Sequence, residues 1–322
     1  MSGLWSSDRP VRVGVSSCLL GENVRFDGGH KRDRFLTEGL GPFVEWVPVC
    51  PEVELGLGTP RPSLRLSGEG GDVRLVSPKT GADHTEAMTA FARRRVAELA
   101  GADLSGYVLK RGSPSCGMER VRVYGRAGQP TGPGRGLFAA ELLRALPDLP
   151  VEEEGRLADP GLRENFIERL FAYRRLADLF AGGWRTKDLV AFHTAHKLTL
   201  MAHSPSAYRE LGRVVAGAAA ADRTDLEAAY RHRFMEALAV RATPGRHVNV
   251  LQHILGYMKK DLDGPTRQDL LGAIEDYGAG LVPLVVPLTL LRHYVGRLGI
   301  GYLQRQAYLD LHPKELMLRN HI

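Results

Sequence analysis

The stretch "GYVLKRGSPSCG" (106–117) runs from an apolar segment into a turn of Gly, Ser and Pro and stops at Cys116. Its opening residues have the composition of a strand, and "RGSPS" has that of a loop. Only three cysteines occur in 322 residues. A free cysteine is ordinarily a small buried hydrophobe, so one placed in loop chemistry asks for a reason. The arrangement recurs twice upstream: Cys18 closes the strand-like "VRVGVSS" (11–17), and Cys50 follows "FVEWVPV" (43–49). "DVRLV" (72–76) and "RVRVY" (120–124) also read as strands, while "HTEAMTAFARRRVAELA" (84–100) and "GLFAAELLRAL" (136–146) space their apolar residues at helical intervals. This alternation predicts an α/β domain over residues 1–150, a Rossmann-like, doubly wound layer around a mainly parallel sheet. In such a sheet the carboxyl ends of the strands face one crevice, so all three cysteines are expected to converge there.

Beyond this layer the pattern changes. "PDLPVEEEGRLADPG" (147–161) has three prolines, a Glu run and no periodicity, and reads as a junction with a linker over 151–160. Residues 161–322 read as an all-helical domain, through segments such as "LRENFIERLFAYRRLADLF", "TKDLVAFHTAHKLTLMA" and "HVNVLQHILGYMKKDL". Residues 181–322 carry 18 Lys and Arg against 13 Asp and Glu, and nine of the eleven histidines.

A hydrophobic share of 43% with 25% charged residues is that of a soluble globular chain. An odd number of cysteines makes no disulfide framework and points to a reducing compartment. "MSGLWSSDRPVRVG" lacks the apolar centre of a signal peptide, and the longest apolar run, "GLVPLVVPLTLL", is too short and proline-broken to span a bilayer. The expected location is cytoplasmic, without membrane association. A net charge of +6 permits an anionic partner.

Separations of 32 and 66 residues between the cysteines match no local zinc motif. Zinc would want a fourth ligand, for which His30 and His84 are the histidines in this half. An iron–sulfur cluster normally takes four cysteines; three would leave one iron without a protein ligand and open to a substrate.

"VSSCLLGENVRFDGGHK", "PVCPEVELGLGTPRPSLRL" and "LKRGSPSCG" resemble the three signature segments of the thiouracil desulfurase (TudS-like) family, over about residues 10 to 150. The helical half is similar to the YbgA-like domain often fused to it, through "FHTAHKLTLMAHSPSAYRELGR", "NVLQHILGYMKK" and "VPLTLLRHY". The order of the two resembles the bacterial tRNA 4-thiouridine desulfidases. One departure is visible: Ser63 and Arg65 stand where the family more often has proline and an acidic residue.

The resemblance implies a [4Fe–4S] cluster held by Cys18, Cys50 and Cys116, with the remaining iron open to the sulfur of a thiolated pyrimidine. It implies Glu52 as general base or proton shuttle, with Glu54 as the alternative, and Ser113 as a catalytic serine. Ser115 and Ser17 read as loop residues bonded to backbone. Asp27, Arg25 and Lys31 are candidate substrate contacts, and Lys110 and Arg111 lie where they would offset cluster charge.

In the helical half, His193, His196 and His203 fall within about 80° of one face of a continuous helix. They read as bonded to neighbouring helices, with a metal triad as the alternative. Lys197, Arg209, Lys259 and Arg297 are candidates for a phosphate-facing surface. The function expected is hydrolytic removal of sulfur from 4-thiouridine in tRNA. One alternative is the same chemistry on free thiouracil or 2-thiouridine. Another, of a different class, is a non-enzymatic iron–sulfur RNA-binding or redox-sensing protein.

Overall fold

Four parallel strands carry the cysteines. In a computed structural model describing residues 9–69, 72–125 and 127–321, they are β1 (Arg12–Ser16), β2 (Glu45–Val49), β5 (Leu104–Leu109) and β8 (Val151–Glu153), in the spatial order β2-β1-β5-β8. The registers align Val15 with Pro48 and Val108, and Tyr107 with Val151. β5 is buried along its whole length and β1 along four of its five residues, which is why both read as nearly unbroken apolar runs. Gly14 is required at the centre of β1, because a Cβ there would lie 2.1 Å from the Tyr107 ring. The chain order doubles back between β1 and β5, so the switch point of the sheet lies between the Cys18 and Cys116 loops.

Helices α2 (Thr85–Ala100) and α3 (Leu137–Ala145) pack on each other and contribute Met88, Phe91, Val96, Phe138 and Leu142 to the core.

The remaining strands do not extend this layer. β3 (Arg65–Glu69), β4 (Asp72–Val76), β6 (Val121–Tyr124) and β7 (Pro130–Gly134) form a second sheet in the order β4-β3-β6-β7, mostly antiparallel. "DVRLV" and "RVRVY" are strands, but of this sheet. The segment read as linker also differs: Val151–Glu153 pairs with β5 and is buried, so the division of the chain falls between Asp159 and Pro160. A strand of three residues is too short to show a period.

Residues from Pro160 onward are helical: α4 (Pro160–Phe180), α5 (Thr186–Ala195), α6 (Lys197–His203), α7 (Pro205–Ala216), α8 (Arg223–Ala239), α9 (Pro244–Met258), α10 (Gly264–Gly278), α11 (Val285–Leu298) and α12 (Gly301–Gln304). Ser204, Asp222, Thr243 and Asp263 cap helix starts by accepting backbone N–H bonds. One core gathers Leu189, Phe192, Leu211, Tyr230 and Phe234, and another Leu251, Ile254, Ile274, Leu291 and Tyr308. Among the described residues no helix is long and apolar enough to cross a membrane.

Candidate active site

Each cysteine sits where a strand of the parallel sheet ends. Cys18 is the second residue of a 3-10 turn (Ser17–Leu20) that follows β1 directly, and its carbonyl accepts from Lys31 N at 2.8 Å, folding the 21–31 loop back on the turn. Cys50 caps the short helix α1 (Pro51–Glu54) after β2, its N–H donating to Glu54 Oε1 at 3.0 Å. Cys116 ends the turn after β5. Ser113 Oγ accepts there from the N–H groups of Ser115 and Cys116 (3.2 and 3.1 Å), and Gly117 N donates to Ser113 O. The turn also serves α3, whose Phe138 and Ala139 N–H groups donate to Ser115 O. Gly136 permits that approach, since a Cβ there would lie 2.4 Å from Ser115 O.

The three thiols line one cavity of about 280 Å³, together with Ser16, Arg25, Glu52, Arg61, Lys110 and Ser113 among others. Burial is the first cause that raises all three. Cys18 is pushed up to about 11, with the Cys50 charge adding to burial and Lys110 and Arg25 opposing it. Cys50 is raised by burial, with Glu52 adding and Arg61 opposing. Cys116 is raised well above a normal thiol by burial, against a hydrogen bond with Ser16 and reinforced by Glu52, Cys50 and Cys18. Cys18 and Cys116 are thus both raised further by the charge of a neighbouring cysteine. All three face the cavity as neutral thiols, and a bound metal group would displace their protons.

Among the described residues no three His, Cys, Asp or Glu side chains are gathered tightly enough for a single metal ion. Tetrahedral zinc would hold its sulfurs about 3.8 Å apart, given a Zn–S bond of about 2.3 Å. His30 and His84 do not line the cavity; His30 Nδ1 accepts from Arg32 N in its own loop. Three soft donors spaced around a roomy cavity, with Arg25, Lys110 and Arg61 beside them, fit a larger anionic metal–sulfur group better than an ion.

Glu52 is fixed from both sides. Arg61 Nε and Nη2 donate to its Oε2 at 2.8 and 2.6 Å, and Ser115 Oγ donates to its Oε1 at 2.8 Å. Ser115 therefore bonds the carboxylate through its side chain, a role the loop reading did not assign to it. Arg61 is missing from that reading altogether. Its side chain is 4% exposed, and its guanidinium also donates to Val24 O (3.0 Å) and Gly58 O (2.8 Å), tying the loop after Cys50 to the one after Cys18. The signal was an arginine locked between two prolines in "TPRPS" (59–63).

Glu54 is engaged with Cys50 N and, at 2.9 Å, with Arg95, and does not line the cavity. Lys110 Nζ ion-pairs with Glu154, which also accepts from Arg111 N. Of the candidate substrate contacts Arg25 lines the cavity. Asp27 and Lys31 are exposed outside it, Asp27 closing its own turn on Gly29 N and Arg25.

The three helical histidines part company. The chain leaves the helix at His196 (φ −95°, ψ 6°), between α5 and α6, so the helical phase is reset and no triad forms. His193 Nδ1 meets Tyr230 OH at 3.2 Å, His196 stacks on Phe192 at 4.0 Å, and His203 Nε2 meets Glu168 at 3.1 Å. Glu168 and Arg319 form a buried ion pair at 2.6 Å beside it. Arg209, Lys259 and Arg297 are exposed and Lys197 is half-buried. Tyr257 is 47% exposed and lies 5.0 Å from the Tyr302 ring.

Residues 13–154, which include all three cysteines, Glu52 and Ser113, match the family model of 2-thiouracil desulfurase, and residues 197–313 match a protein family of unknown function (DUF1722). The uncharacterized protein YbgA of Escherichia coli (strain K12) is 35% identical over 158 residues, 49% of this chain and 94% of that protein. The uncharacterized protein YbbK of Bacillus subtilis (strain 168) is 35% identical over 108 residues, 32% of this chain and 71% of that protein. The chain belongs to the 2-thiouracil desulfurase family, in a form fused to a YbgA-like domain. Among solved structures, a [4Fe-4S]-dependent thiouracil desulfidase, TudS, is 34% identical, with 48% of this chain and 97% of that one covered and a TM-score of 0.39.

Proposed function

We propose that this protein is a desulfidase that converts 4-thiouridine in tRNA to uridine and sulfide, using a [4Fe–4S] cluster held by Cys18, Cys50 and Cys116. The observation that carries the reading is the meeting of three strand-end thiols and a fixed carboxylate in one cavity. When bound, the cluster supplies a soft Lewis acid, an iron without a protein ligand, that draws electrons from the carbon–sulfur bond.

The chain's own groups supply the rest. Hydrolysis exchanges C=S for C=O: water adds to the ring carbon, the carbon–sulfur bond breaks, and the protons leave with sulfide. Glu52 is the group that takes the water proton, its Oε1 reached by the Ser115 hydroxyl and its Oε2 by Arg61. Ser113 accepts two backbone N–H bonds, which leaves its own O–H free to donate toward the pyrimidine or the departing sulfur. Arg25 and Lys110 supply positive charge beside Cys18. Support for tRNA over a free base comes from the helical domain, whose residues 181–322 carry an excess of five positive charges with Arg209, Lys259 and Arg297 exposed.

The test is anaerobic incubation of the cluster-loaded chain with 4-thiouridine-containing tRNA, following the near-ultraviolet absorbance of the thiolated base and released sulfide. Loss of that absorbance with stoichiometric sulfide is expected. Turnover of free thiouracil with none on tRNA would move the assignment to the small base. No turnover of any thiolated pyrimidine would leave a cluster protein of another class.

A further inference from the structure

We propose that a cleft of the first domain, lined by Arg65, Arg111, Arg120 and Arg122, binds the phosphodiester strand flanking the nucleotide presented to the cysteine cavity. This rests on the function proposed above and specifies where its polymeric substrate is held. The cleft has a volume of about 610 Å³ and shares Leu64, Arg111, Gly112 and Pro114 with the cysteine cavity, so the two are adjacent. All of its lining residues fall within residues 9–159.

The local fold builds this concentration of charge. β6 alternates, with Val121 and Val123 buried and Arg122 exposed, so Arg122 and Tyr124 share the open face. β3 runs parallel beside it, pairing Leu66 with Val123, and the Arg65 guanidinium lies over the Tyr124 ring at 5.1 Å. Arg65 Nε is buried without a hydrogen-bond partner. Arg111 crosses Gly155, where a Cβ would lie 2.5 Å from its Cδ. None of the four arginines has a carboxylate partner among the described residues. Two carboxylates also line the cleft: Glu153, which accepts from Met118 N at 2.7 Å, and Glu119, 4.0 Å from Arg156.

Five arginines against two carboxylates leave an excess of positive charge in one concavity, and a polyanion relieves that repulsion. The guanidinium fork matches phosphate oxygens two at a time. A lone nucleotide would use one such contact. Several, in a cleft that adjoins the reaction cavity, match successive phosphates of a strand whose thiolated base has left its stack.

The experiment is fluorescence anisotropy of a labelled oligouridine 12-mer titrated with the full-length, cluster-loaded chain at several salt concentrations. Binding is expected to weaken with salt by about 0.7 log units per log unit of salt for each phosphate contacted. R120E/R122E should bind at least tenfold more weakly and lose about 1.4 from that slope. Both side chains are exposed, so the fold should survive, as retained cluster absorbance will show; Arg122→Ala alone should produce a smaller loss in the same direction. Unchanged affinity and slope in the double variant would overturn the cleft. Turnover of free 4-thiouridine by the wild-type chain reports separately on the activity. Binding lost in the variant without any turnover defeats the activity alone; turnover with unaltered oligouridine binding defeats the cleft alone.

Discussion

Two trios of side chains behave in opposite ways. Cys18, Cys50 and Cys116 are separated by 32 and 66 residues and meet in one cavity, whereas His193, His196 and His203 lie within eleven residues and disperse. Parallel strands bring their ends to one edge whatever chain length lies between them, so positions matched in the strand pattern become neighbours. Residues near in sequence share a helix face only while the helix continues, and this one is interrupted at His196. Spacing along the chain therefore misleads in both directions. Position within a secondary element is the better guide.

The largest expected effect breaks the cysteine side of that comparison. Anaerobically prepared protein should be brown, with about four irons and four labile sulfides per chain. Replacing Cys18, Cys50 or Cys116 by Ala should abolish colour and desulfidase activity together. Iron and sulfide analysis with visible absorbance checks this, and a colourless variant with full activity would refute it.

A smaller effect separates ligand from base. Glu52→Gln keeps the side-chain shape beside Ser115 and should retain the cluster absorbance. It should lower turnover by about 10²-fold or more, the usual loss on removing a general base. Single-turnover rates on a thiolated nucleoside measure it, and a near-normal rate would exclude Glu52 as the proton acceptor.

The smallest effect sharpens the histidine side. Burial lowers His193 to about 4, and His196 and His247 to about 3, against 6.5 for a free imidazole. With folded values depressed, the unfolded chain binds more protons below pH 6.5. The stability these residues contribute is therefore present above that pH and lost as pH falls toward 4 and then 3. Each adds a slope of up to about 1.4 kcal/mol per pH unit in that window. Denaturant titrations from pH 7 to 4.5 should show stability falling, and His196→Phe, placed among Phe192 and Phe234, should flatten the fall by about one proton. An unchanged slope would mean that His196 takes up a proton in the folded chain.

Local pattern carried much of this protein. The strands leading to Cys18 and Cys116 were legible because burial on both faces leaves unbroken apolar runs, the edge strand before Cys50 because it is rich in Val and aromatic residues, and the carboxyl half because amphipathic helices repeat every 3.6 residues. Parallel topology then predicted convergence of the thiols without any distance. What the sequence did not settle depends on partners distant in the chain. The assignment of β4 and β6 to a second sheet rests on pairing with β3, and the place of Val151–Glu153 on hydrogen bonds to β5, since isolated strand signals do not say which sheet receives them. Arg61 became visible only when its carboxylate and two carbonyl partners, drawn from loops after two different strands, closed around it. The arginine cleft needed two neighbouring strands and a turn to assemble. A side chain's type and period are properties of the sequence, but its neighbours are set by non-local pairing, which only the tertiary structure supplies.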